Sequence, residues 1–286
     1  MAPMERQTMA TENTTPAGIA WEATVVAEHA QSDRVREDSG SDDFWRPLAH
    51  KFVPPKKGEA PPDDTLIKLI DMVSPNDTVL DVGSGGGRLA IPIAERCSHV
   101  TAVEPSEAMR EQLMATAEAW GVENISLVPE RWEEAEVEPH DLVVSAHVVY
   151  TVTKIESFIH KMTDHARKTA AIITFERPAT ATYLPLWSYI HDEERIELPS
   201  LQQIEQVLTQ MGINFEFTPL LGWEPRPFKT REQAQKECQT RLFIAPGTEK
   251  DQKLSELLGD YLIEVEGGFR LEWAKTHRPA IVSWNG

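Results

Sequence analysis

The residues best suited to chemistry stand in the run VLDVGSGGG, residues 79–87. Asp81 lies near the end of an apolar stretch, and Gly83, Gly85 and Gly87 follow at alternate positions, with Ser84 and Gly86 between them. Glycines spaced in this way let a chain turn tightly from strand to helix and let a ligand approach the backbone closely. A second acid, Glu104, ends the next apolar run about 20 residues beyond the turn, the spacing at which a βαβ unit offers a carboxylate to both hydroxyls of a ribose. The alternative is a plain loop and a solvated Glu104. A third group ends the run DLVVSAHVVY, residues 141–150, and delivers Ser145, Ala146, His147 and Tyr150 to one place. An imidazole there could deprotonate or orient a substrate, with the phenol lining the same space; the alternative is a hydrogen-bonded core histidine. Glu176 follows the next strand and points to the same sheet edge.

These residues need elements to hold them, and the pattern supplies them. Leu66, Ile67, Leu69, Ile70 and Val73 make a helical apolar face that ends at Ser74-Pro75. Residues 78–82 read as a short buried strand, followed by the glycine turn and a helix through Leu89, Ile93 and Ala94, with Pro92 kinking it or near its start. Residues 100–104 are a second strand. Ser106 caps a helix carrying Met109, Leu113, Ala117 and Trp120, and Gly121 closes it. Further strands are expected at 125–128, within 141–149, and at 170–175, with a helix through Ile155, Phe158, Ile159, Met162 and Ala166 between the last two. The nearly continuous apolar run at 141–149 suits a parallel strand covered on both faces. Strands alternating with helices at this spacing imply a doubly wound parallel sheet. Beyond Glu176 the rhythm loosens: an insertion rich in Pro, Tyr and Trp, a helix opened by a Ser200–Gln203 capping box, a strand near 215–218, a second capping box at Thr230–Gln233, a helix through Leu254, Leu257, Leu258 and Leu262, and a closing strand at 280–284.

The glycine turn departs from a dinucleotide-binding fingerprint, because an acid precedes the glycines and the third glycine comes one position early. It resembles motif I of the class I S-adenosylmethionine-dependent methyltransferases, (D/E)-x-G-x-G-x-G, and VTAVEPSEAM, residues 100–109, resembles the second-strand motif of that family. The resemblance spans residues 60–176. It implies that Gly83, Ser84, Gly85 and Gly87 face the methionine part of S-adenosyl-L-methionine, that Glu104 binds its ribose, that Asp81 organises the turn and the ammonium side, and that Pro105 and Met109 border the adenosine. Where many members carry Asp beside the exocyclic amine, this chain has Glu130 or Arg131. Trp132 could pack on the base, or be a core tryptophan. Ser145 and Ala146 would complete the cofactor site, and His147 and Tyr150 would stand near the transferred methyl. The Pro-Pro-aromatic motif of nucleic-acid amino-methyltransferases is replaced by Ser145-Ala146-His147-Val148, and neither a catechol-type carboxylate set nor a metal site is evident.

The 286 residues carry a formal net charge of −18 and 41% apolar residues. That charge repels polyanions and argues against a nucleic-acid substrate. No apolar run reaches the ~20 residues of a membrane helix, and the polar start lacks the apolar core of a secretory signal. Cys97 and Cys238 read as buried thiols of a cytoplasmic protein, with one disulfide as the alternative. The expected architecture is α/β, a Rossmann-like doubly wound, mostly parallel sheet with a helical cap or insertion: a disordered tail at 1–18, an N-terminal helical cap and linker at 19–62, the cofactor-binding core at 63–176, and an insertion with the completion of the sheet at 177–286. The expected activity is methyl transfer to a small molecule. The rivals are a nucleic-acid or protein methyltransferase, a non-catalytic S-adenosylmethionine-binding protein, and a nicotinamide-dependent oxidoreductase.

Overall fold

The computed structural model describes residues 14–37, 45–46 and 48–286; the tail expected at 1–18 lies outside them up to residue 13. In chain order the elements are α1 (Pro16–Val35), α2 (Asp64–Asp71), β1 (Thr78–Val82), α3 (Ala90–Ala94), β2 (His99–Val103), α4 (Glu107–Trp120), β3 (Ile125–Val128), β4 (His140–Ala146), α5 (Ile155–His165), β5 (Ala166–Phe175), α6 (Leu184–His191), α7 (Leu201–Gln210), β6 (Phe215–Pro219), α8 (Arg231–Leu242), α9 (Glu249–Tyr261), β7 (Leu262–Val265), β8 (Gly268–Leu271) and β9 (Pro279–Asn285). The first helix starts at Pro16, inside the expected tail, because the Thr15 hydroxyl accepts the Gly18 N–H and Pro16 fits the first turn.

A seven-stranded sheet runs in the order β3-β2-β1-β4-β5-β9-β6. The pairs from β3 to β5 are parallel, and β9 lies antiparallel between β5 and β6. The inner strand β1 is buried from Val79 to Val82, as a strand with neighbours on both edges and helices on both faces must be. One face packs on α1, α5 and α7 through Trp21, Val25, Phe158, Ile159, Met162, Ile204 and Val207. The other packs on α2 and α3 through Leu69, Ala90 and Ile93, and on α4 through Leu113 and Ala117. The caps at Ser106 and Gly121 form, as does the Ser200–Gln203 box. At Thr230 the hydroxyl caps α8, but Gln233 reaches back to the Lys229 N–H instead of closing a box on Thr230.

The order of the sheet reverses where β1 meets β4, so their carboxyl ends open a crevice at the switch point. The cap is built from more than the Pro-, Tyr- and Trp-rich segment that follows Glu176. It draws α6, which follows β5, together with α8, α9 and the β7–β8 hairpin, which are inserted between β6 and β9, around its own core of Leu186, Trp187, Ile190, Cys238, Leu242, Leu254 and Leu258. The hairpin was not legible in the sequence, and Leu262, expected within a helix, begins β7. Cys97 and Cys238 are both buried free thiols. Among the described residues no helix is long and apolar enough to cross a membrane.

Candidate active site

The glycine turn is stitched to the end of β2. The N–H groups of Gly83 and Ser84 both donate to the Val103 carbonyl, at 2.8 and 3.2 Å. Gly83, Gly85 and Gly87 have φ of +73°, +55° and +84°, the left-handed region that glycine enters at little cost. Two of them also have no room for a side chain. A Cβ on Gly83 would lie 2.4 Å from Val148 Cγ2, and one on Gly87 would lie 2.7 Å from Ile91 Cδ1. Gly85 differs, since its Cβ would only touch Met109 Sδ and Phe52 Cβ at 3.8 Å. The turn is therefore packed tightly at its ends, against Val148 and against α3 and α4, and has room at Gly85.

Glu104 reaches across this turn. Its Oε2 accepts the Gly85 N–H at 2.8 Å and its Oε1 accepts the Ser106 N–H at 2.8 Å, so the carboxylate fixes both the turn and the start of α4. Asp81 is 2% exposed, and burial pushes its carboxyl up to about 7; the Glu104 charge adds to that, while Arg88 and a hydrogen bond from the Ala90 N–H oppose it. Asp81 thus ties β1 to the start of α3. The Ser84 hydroxyl is buried and, among the described residues, without a hydrogen-bond partner. A buried hydroxyl in that state is destabilising unless something fills its bond.

Met109 is brought to the turn with Ala49, Ala108 and Phe52, while Pro105 is exposed beside it. A short 3-10 turn, Ala49–Lys51, leads into Phe52 and Val53, which lie over the glycines: a Cβ on Gly86 would stand 2.8 Å from the Phe52 carbonyl oxygen. The N-terminal cover therefore reaches the glycine turn. Lys51 pairs with Glu237 of α8 at 2.7 Å and so ties this cover to the cap. Of the aromatic residues beyond Glu176, Trp187 lies in the core of the cap and Tyr189 stacks on Tyr261.

Two expected cofactor contacts need correction. Trp132 belongs to the core: its ring packs edge-on to Phe158 and His165 and its Nε1–H donates to the Phe158 carbonyl at 3.4 Å. Ser145 is fully buried and its hydroxyl donates to the Val82 carbonyl at 3.2 Å, so it is spent on joining β1 to β4. Arg131 is exposed, and its carbonyl closes the turn by accepting the N–H groups of Glu134 and Ala135. Ala146, half-buried, ends β4.

The other half of the crevice is built on His147. It is half-buried and has φ of +60°, an uncommon backbone state for a residue with a side chain. Its N–H donates to the Ile173 carbonyl at 2.8 Å, and the next residue, Val148, packs against Gly83. The imidazole stacks on Phe175 with centroids 4.1 Å apart. Its Nδ1 lies 3.3 Å from the Tyr150 hydroxyl, which accepts the Phe175 N–H at 2.8 Å. Burial first, then the positive charge of Arg88 and the neighbouring His277, hold the imidazole down at about 3, so it is neutral and offers a lone pair. Glu176 is exposed, 3.8 Å from Arg278. Phe175, Trp223 and His277 also meet here, and sequence reasoning missed all three because no local motif marks them. An open groove of about 540 Å³ beside Lys161 and His165 lies at the opposite end of the sheet, and its lysine is spent on the carbonyls of Trp132, Glu133 and Ala135.

The donor set fits S-adenosylmethionine. Left-handed glycines allow close approach, the unpartnered Ser84 hydroxyl awaits a bond, and carboxylates stand on both sides of the turn. Comparison with known proteins agrees with this geometry. Residues 79–169 match the family described as "Methyltransferase domain". The chain is 26% identical over 192 residues to the ubiquinone biosynthesis O-methyltransferase of Rickettsia felis, covering 63% of this chain and 77% of the relative. It is 29% identical over 226 residues to the protein of the same name from Rickettsia conorii, covering 74% and 72%. Its fold is similar to that of the YcgJ protein of Bacillus subtilis, with a TM-score of 0.52 at 14% identity over 77% of this chain and 97% of that one.

Proposed function

We propose that this chain, a class I S-adenosylmethionine-dependent methyltransferase, methylates a hydroxyl oxygen of a small molecule. One observation carries the reading: His147 is held in a left-handed conformation at the end of β4, directly beside the glycine turn. Such strain persists only where surrounding contacts impose it, and it concentrates at functional sites. The relatives are O-methyltransferases of ubiquinone biosynthesis, which supports oxygen as the acceptor atom. The net charge of −18 favours a small molecule over a polyanion. A cytoplasmic setting belongs to the same reading, supported by the two free, buried thiols.

S-adenosylmethionine, when bound, supplies an electrophilic methyl carbon on a sulfonium. Gly83, Ser84, Gly85 and Gly87 would hold its methionine part, Glu104 its ribose, and Pro105 and Met109 its adenosine, with Asp81 offsetting its positive charge. The chain then has to align one oxygen with that carbon and keep water away, which is work of positioning. His147 does the aligning. With its Nδ1–H directed at the Tyr150 oxygen, Nε2 presents a lone pair to the acceptor hydroxyl and takes its proton as the oxygen gains the methyl group. A neutral imidazole with so low a pKa is a weak proton acceptor but an always-available hydrogen-bond acceptor, so orientation outweighs basicity here.

The test has two parts. S-adenosylmethionine and its demethylated product should raise the melting temperature, because a ligand that binds only the folded state stabilises it, whereas nicotinamide dinucleotides should not. Labelled methyl from S-adenosylmethionine should then appear in small hydroxylated compounds. Stabilisation by a dinucleotide alone, or transfer only to nucleic acid or protein, would overturn the reading.

A further inference from the structure

At the carboxyl end of β5 three rings from distant segments converge on Phe175. His147 stacks on it at 4.1 Å, Trp223 stands edge-on at 5.3 Å and 90°, and His277 is tilted at 5.3 Å and 40°. Trp223 and His277 also meet each other, at 5.7 Å and 75°. Backbone pairing places them: the Trp223 N–H donates to the His277 carbonyl at 3.0 Å, and the His277 N–H donates back at 2.9 Å. A Cβ on Gly222 would lie 2.9 Å from the His277 carbonyl oxygen, so the two segments approach as closely as a glycine allows. Beside them the Glu224 carboxylate accepts from Arg270 at 2.8 Å and from the Thr276 hydroxyl. This strap is the root of the cap, where the chain leaves β6 and returns to β9. Backbone bonds and the Arg270–Glu224 pair pin it, yet Trp223 remains 42% exposed. A large ring fixed at the surface beside a crevice is a surface held ready for a ligand.

We infer that the Trp223–His277 strap, backed by the buried Phe175, forms the acceptor wall of the site, and that it selects a flat, conjugated ring bearing the hydroxyl to be methylated. The inference rests on the methyl-transfer reading and deepens it. The exposed indole offers a flat face that a planar ring can cover and a puckered saturated ring cannot.

The experiment uses the full chain, labelled S-adenosylmethionine and matched pairs of compounds: hydroxynaphthalenes against decahydronaphthols, and catechol against cyclohexane-1,2-diol. Transfer should favour the planar member of each pair at least about tenfold. For the best planar acceptor, Trp223→Ala should raise KM about 3- to 10-fold, the size of a lost ring contact, with kcat and S-adenosylmethionine affinity nearly unchanged. Trp223→Phe should recover most of that loss, which a merely structural role of the strap would not require. Equal transfer to saturated members, an unchanged KM in Trp223→Ala, or binding of S-adenosylmethionine with no planar compound methylated would overturn the wall and leave the methyltransferase reading standing. Failure of the wild-type chain to bind S-adenosylmethionine would overturn both.

Discussion

The two halves of the crevice are built in opposite ways. The glycine turn and Glu104 come from one βαβ unit, and their bonds are local: Glu104 holds Gly85 and Ser106, and Val103 holds Gly83 and Ser84. The half proposed to take the acceptor is assembled from His147 and Tyr150 after β4, Phe175 at the end of β5, and Trp223 and His277 at the root of the cap. A local site can be rigid before the rest of the chain arrives. A composite site exists only once the sheet and the cap have closed. The first half suits a ligand shared by many proteins, and the second is where a chain can change what it accepts while keeping its sheet. If the contrast is right, substitutions in one half should alter cofactor binding and those in the other should alter turnover or acceptor choice.

The largest separation is expected at His147. His147→Asn keeps a residue that tolerates positive φ, so the turn after β4 should persist. Turnover should fall by about 100-fold, the low end for loss of a proton-accepting group, because the imidazole orients more than it deprotonates. Calorimetry should find S-adenosylmethionine affinity unchanged within about twofold. A parallel fall in cofactor affinity and melting temperature would make His147 a structural residue and erase the contrast.

Glu104 tests the other half with a smaller effect. Charge-assisted hydrogen bonds of about 1.5–3 kcal/mol imply ~10- to 100-fold weaker cofactor binding in Glu104→Ala. The sequence alone suggests that the fold would hardly notice. The structure changes that expectation, since the same carboxylate satisfies the N–H groups of Gly85 and Ser106. The melting temperature should therefore fall as well, and Glu104→Gln, which keeps an acceptor oxygen, should recover part of the stability but little of the affinity. Undiminished affinity in Glu104→Ala would remove this residue from the cofactor site.

The same contrast explains what could be read in the sequence. β1, the glycine turn, β2 and the cap at Ser106 are written in contiguous residues, and β1 and β3 fall on the expected positions. His147 was legible because a strand end at the switch point is a known place for ligands. Trp132 misled because position after a third strand does not say which way a ring turns, and here the apolar side of α5 claims it. Trp223 and His277 gave no signal: neither lies in a periodic run, and only antiparallel pairing of β6 and β9 brings them to Phe175. The β7–β8 hairpin hid for a related reason, being too short to show alternation before the cap's core buried Leu262 and Leu271.

The smallest expected effect comes from protons, and the two halves should differ in its sign. Asp81 ionises near 7 in the folded chain instead of the ordinary 3.8, so between pH 4 and 7 the folded state binds more protons than the unfolded one. By linkage its contribution to stability falls as pH rises through that window and is constant outside it. His147 titrates near 3 instead of 6.5, so between those values the unfolded state binds more protons and its contribution rises with pH. Between pH 4 and 6.5 the two oppose each other in the wild type. Denaturant melts of wild type, Asp81→Asn and His147→Asn across pH 4 to 7 should separate them. Relative to Asp81→Asn the wild type should lose stability with rising pH, and relative to His147→Asn it should gain, each by no more than about 1.4 kcal/mol per pH unit, the limit for one proton. Cofactor binding adds a check on Asp81 alone. A positively charged ligand favours the ionised carboxylate, so affinity for S-adenosylmethionine should rise toward pH 7 in the wild type and lose that rise in Asp81→Asn. Difference curves of the same sign would mean that the two groups share one environment, and the division of the crevice into a charged turn and a neutral ring cluster would fail.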